Sequence, residues 1–156
     1  MKKLLWIAML VQLAAASNVY DGLIGKNEEK LNNDIFLCRN HICSATEQKF
    51  IDIPLLDKTV QRIETYSDDH GTIYKVHLHV AQVGEFENRD LTESFFMAIK
   101  QYGHDHGKGL EYSLEYVYDK YGNKSIIKIV DPKRRDAYRE RMKQQYLDAL
   151  RHGAKQ

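Results

Sequence analysis

Two short histidine pairs are the residues of this 156-residue chain with the clearest chemical potential. The first is His77-Leu78-His79. On a strand, both imidazoles would stand on the same face, roughly 6.6 Å apart at the backbone. One metal ion can bridge that separation. The second pair, His104-Asp105-His106, adds two imidazoles and a carboxylate within the loop-like stretch from Gly103 to Gly109. If the pairs met, the donor set would suit zinc, copper or nickel. An open coordination position could then activate water. Solvated histidines on an exposed strand face, and an ordinary polar loop, account for the same residues without a metal. A metal-binding protein or metal-dependent hydrolase using His77, His79, His104 and His106 is therefore the alternative reading, not the leading one.

The only two cysteines, Cys38 and Cys43, are five positions apart. In an oxidising compartment this pattern predicts one disulfide clipping a hairpin with a four-residue loop. A redox Cys-x-x-Cys would need two intervening residues, so oxidoreductase chemistry is disfavoured. A thiolate metal site that adds His41 would have unusual spacing.

A third set of residues is basic. The segment 132–152 carries Lys133, Arg134, Arg135, Arg139, Arg141, Lys143 and Arg151 against three acids. A basic amphipathic helix can dock to an acidic partner or lie on an anionic membrane surface. Packing on its own sheet would explain its modest, tyrosine-rich apolar face equally well. Arg134, Arg135, Arg139 and Arg141 are the partner-binding candidates. Tyr112, Tyr116 and Tyr118, with Tyr74, could line a ligand groove. They fit more simply as core residues with hydroxyls reaching the rim. The chain has no Gly-x-Ser-x-Gly elbow, no phosphate loop and no His-Glu-x-x-His pair. An enzyme is thus the less favoured class.

The elements that must position these groups are legible from periodicity. Thr59–Tyr66 and Thr72–Val83 read as a hairpin closed by Ser67–Gly71. In its second strand Tyr74, Val76, Leu78 and Val80 alternate with Lys75, His77 and His79. Residues 88–102 read as a helix with an Asp90/Glu93 capping box and a Gly103 stop. Residues 110–119 and 125–130 form a further hairpin. Asp131-Pro132 then opens the last helix, which Gly153 ends. Residues 18–33 read as flexible or short-helical. The expectation is an α+β fold: an antiparallel sheet built from hairpins, with amphipathic helices near 90–102 and 132–152 packed on one face.

The first seventeen residues supply an address. Lys2 and Lys3, an apolar run from Leu4 to Ala16, and the small residues Ala14 to Ser17 match a secretory signal peptide cleaved near residue 16 or 17. The run is too short to span a bilayer comfortably, and no second apolar run follows. Removing residues 1–17 leaves 139 residues with 21 basic and 22 acidic side chains. A near-neutral exported chain is not a general nucleic-acid binder. The organisation expected is signal peptide 1–17, N-terminal segment 18–33, a single domain 34–153 and a tail 154–156. The functional expectation is a periplasmic or secreted non-enzymatic protein that binds a cell-envelope or extracellular partner. A carrier of a lipid or other apolar ligand is a further alternative.

Overall fold

The computed structural model describes residues 21–46, 60–81, 109–119 and 122–153, together with 93, 96, 97 and 100. Six strands form one antiparallel sheet: β1 (Leu37–Arg39), β2 (Ile42–Thr46), β3 (Val60–Ser67), β4 (Ile73–Ala81), β5 (Glu111–Asp119) and β6 (Gly122–Val130). The helix α1 (Pro132–Gly153) follows. The strand order is β1-β2-β3-β4-β6-β5, so the last hairpin folds back to place β6 beside β4. The 29 residues between β4 and β5 make that crossover sterically accessible, whereas the short turns within the β1–β2, β3–β4 and β5–β6 hairpins force those neighbours to pair.

The first hairpin is tighter than its cysteine spacing suggests. Cys38 and Cys43 are directly opposed and bonded, and pairing continues through Arg39 and Ile42. The loop is therefore Asn40-His41 alone, not four residues. Both residues have positive φ (51° and 63°), as a two-residue turn between right-twisted strands demands.

In the β3–β4 hairpin, Asp68 organises the turn. Its Oδ1 accepts from the backbone N–H of His70 and Thr72 at 3.0 and 2.9 Å. Gly71 sits at φ 74°, with Asn27 and Glu28 close against it. An irregularity between Tyr66 and Ser67 pairs Ser67 with Ile73 and Tyr66 with Lys75. Tyr74 is the extra residue. The alternation therefore changes phase there: Ile73, Val76, Leu78 and Val80 point into the core, and Tyr74 does not join them.

The buried side of the sheet carries Cys43, Ala45, Ile63, Thr65, Val76, Leu78, Ile127 and Ile129. Leu23, Ile24, Leu31 and Phe36, from a segment containing two short 3₁₀ turns (Asp21–Leu23 and Glu28–Lys30), close over it. Phe96, Tyr112 and Leu114 pack at the margin. This confirms an α+β architecture on an antiparallel sheet, but two helices packed on one face are not matched. Of the expected first helix, Glu93, Phe96, Met97 and Lys100 are described and helical; the remainder lies outside the described residues. The C-terminal helix forms as expected, with Asp131 Oδ1 accepting from Arg134 N at 3.1 Å as the N-cap. It does not lie along the core, however. It buries none of its residues, and Met142, Tyr146, Leu147 and Leu150 are exposed. Its apolar row is real, but the core it was expected to cover is already filled by residues from the N-terminal segment.

Candidate functional site

The second face of the sheet is polar, and it gathers the side chains with chemical potential. Cross-strand register places Ser44, Glu64, His77, Lys128 and Ser113 in one row across β2, β3, β4, β6 and β5. Arg62 and His79 are paired in the next row, and Tyr66 and Lys75 in the row on the other side. Period-two geometry puts all of these on one face.

Glu64 is the hub. Its Oε2 accepts from Tyr66 Oη and His79 Nε2, both at 3.0 Å, and its Oε1 is ion-paired with Arg62. Burial raises the carboxyl's pKa, but the bonds from His79 and Tyr66 and the charge on Arg62 outweigh burial and hold it below the ordinary value. The same environment pushes Tyr66 up to about 12, through burial first and then Glu64. His77 moves the other way, down to about 4, because burial and the positive charges of Lys75 and Lys128 disfavour its protonated form. Among the described residues its Nε2 is buried with no hydrogen-bond partner. One donor atom each from Glu64, His77 and His79 lie within 4.8 Å of one another.

Beside this cluster, the first turns of α1 overhang the sheet and enclose an open cleft of about 550 Å³. Lys75, Lys128, Arg135 and Arg139 line it, with Tyr74, Tyr112 and His77. Glu111 is the only acid among its described lining residues. The Lys75 amine stands 3.8 Å from the centre of the Tyr66 ring. Burial, followed by the charges on Lys128 and Arg139, depresses its pKa. Lys128 is paired with Glu115.

The four arginines singled out in the sequence divide into two roles. Three tie α1 to the body of the protein. Arg135 reaches Glu111 at 2.7 Å and Asp136 at 2.8 Å. Arg141 holds Asp69 at 2.5 Å and lies 3.6 Å from Asp68, whose side chain is almost wholly buried. Arg134 approaches the same Asp68 oxygen at 3.7 Å. Arg139 has no ion pair among the described residues and borders the cleft. The Tyr74 and Tyr138 rings meet with centroids 5.7 Å apart and planes tilted by 45°.

His77 and His79 thus share a face, as the alternation predicts. His104 and His106 lie outside the described residues. Glu64, Lys75 and Lys128 were not identified from the sequence. The available signal was the same alternation applied to β3 and β6, which puts Arg62, Glu64 and Tyr66 on one side. Of the tyrosine ladder, Tyr112 and Tyr116 are half-buried, and the side chain of Tyr118 lies outside the described residues. Among the described residues the apolar sheet face is packed by Leu23, Ile24, Leu31 and Phe36. Among the described residues no helix is long and apolar enough to cross a membrane. Comparison with known proteins finds no matching family model, no matching curated protein and no matching solved structure.

Proposed function

We propose that this chain is an exported, non-enzymatic binding protein that grips an anionic group of a cell-envelope or extracellular partner in the cleft between α1 and the polar sheet face. The observation that carries the reading is a cleft lined by Lys75, Lys128, Arg135 and Arg139, in which Lys128 and Arg135 are paired with acids and Arg139 has no ion pair among the described residues. Like charges held together repel one another; after burial, which is the larger cause, that repulsion from Lys128 and Arg139 lowers the pKa of Lys75. An anion entering the cleft relieves it, so binding is rewarded where charge is already assembled. The exposed row Met142, Tyr146, Leu147 and Leu150 extends from the same helix and offers apolar area beside the charged grip. The Cys38–Cys43 disulfide and the signal-peptide pattern of residues 1–17 support export.

The probe is inorganic phosphate, followed by backbone and side-chain NMR of the chain without its first seventeen residues. Expected are saturable shifts at Lys75, Lys128 and Arg139 that weaken with added salt. Arg139→Glu should lower the affinity by roughly 10-fold, about 1.4 kcal/mol. Arg139 is the suitable site for charge reversal because its neighbours Arg134, Arg135 and Arg141 hold the helix in place. Shifts scattered over surface lysines outside the cleft, or affinity unchanged in Arg139→Glu, would reject the reading. Vesicles with anionic headgroups form a second arm: binding to vesicles without phosphate-dependent cleft shifts would place the interaction on a membrane surface instead.

A further inference from the structure

We propose that Glu64, His77 and His79 constitute a site for one divalent transition metal, zinc first among them. The three donors come from facing positions of one hairpin. Glu64 is the register partner of His77, and His79 is two residues further along the same strand face. Their ligand atoms already lie within 4.8 Å of one another. Tetrahedral zinc, with bonds near 2.0–2.2 Å, needs donors about 3.3 Å apart, a closure that side-chain rotation can supply. Two imidazoles and a carboxylate form a donor set of intermediate softness, suited to zinc, nickel and copper rather than calcium or magnesium.

A second, independent observation points to a missing ligand. His77 Nε2 is buried and makes no hydrogen bond among the described residues. A buried polar atom left without a partner is destabilising. A metal ion satisfies it, whereas an apolar contact would not. Arg62 and Tyr66 contact the Glu64 carboxylate from its own strand and would orient it as a ligand. Of the nearby cations, Arg62 is paired with Glu64 itself, the ammonium of Lys75 is held over the Tyr66 ring, and Lys128 is paired with Glu115. Three protein donors leave a fourth position for water or an incoming group.

The decisive measurement is zinc titration of the EDTA-stripped chain, followed calorimetrically and by long-range imidazole nitrogen NMR. One zinc per chain is expected, with the ring signals of His77 and His79 moving together. Those of His41 and His70 should stay still; His41 is already bonded to Glu28 at 2.8 Å. Glu64→Gln and His79→Asn should each weaken binding by at least about 10-fold. The wild-type ring signals need no substitution, so they test the site even where a variant fails to fold. Absence of saturable binding, movement of other histidine rings instead of His77 and His79, or unchanged affinity in both folded variants would overturn the site.

Discussion

Acid should destabilise this protein through His77 before its carboxylates are extensively protonated. In the unfolded chain the His77 ring takes up a proton as pH falls below 6.5; in the folded chain it resists until about 4. Between those values the unfolded state binds more protons, so stability falls as pH falls. The gap between 6.5 and about 4 is worth at most about 3 kcal/mol, and solvent screening of a half-buried ring brings it to about 2. Burial is the largest cause of the shift, followed by Lys75 on the same strand, Lys128 opposite and His79, with Glu64 pulling the other way. The assay is urea unfolding by far-ultraviolet circular dichroism at a series of pH values, in EDTA to exclude metals. Relative to pH 7.5, the wild-type midpoint at pH 4.5 should fall by about 1 M more than that of His77→Gln. The variant keeps a polar side chain but cannot take up the proton. A stability difference between wild type and variant that is constant across pH 4 to 7 would refute the argument, because the ring would then titrate alike in both states.

Two further substitutions test how α1 is held. Asp68→Ala removes the acceptor for two backbone N–H groups and leaves Arg134 and Arg141 without their shared buried carboxylate; a loss of about 3 kcal/mol in thermal or urea unfolding is expected, and a loss below about 1 would show that the turn closes without it. Replacing Met142, Tyr146 and Leu150 together by lysine should alter stability by no more than about 1 kcal/mol, since all three are exposed; a loss of several kcal/mol would mean that the row packs on the protein's own body.

Local patterning carried much of this architecture. The alternation through Lys75, His77 and His79 predicts their common face, and Asp131-Pro132 predicts where the last helix starts. Both signals are written in consecutive residues. Glu64 was not legible in the same way, because its place beside His77 depends on how β3 aligns with β4. That register is set by the Asp68 turn and by the irregularity that leaves Tyr74 as an extra residue. A one-residue slip would send Glu64 to the other face of the sheet. The position of β6 between β4 and β5 was hidden for a related reason: sequential hairpins imply neighbouring strands but do not fix which edge a new hairpin joins.

The helix shows a different limit. An apolar row at helical spacing says that one side of the helix avoids water; it does not say what covers it. Here Leu23, Ile24, Leu31 and Phe36 fill the buried side of the sheet, leaving Tyr138 and three arginines to fasten α1 by its first half. Those arginines lie on the basic segment that suggested a partner surface, and their intramolecular pairs remove them as free contacts. What remains for a partner is Arg139 at the cleft and the apolar row beyond it. The fastening and the recognition therefore use adjacent residues of one helix with opposite consequences under substitution. Reversing Arg141 should loosen the helix, whereas reversing Arg139 should leave it in place and remove only the grip.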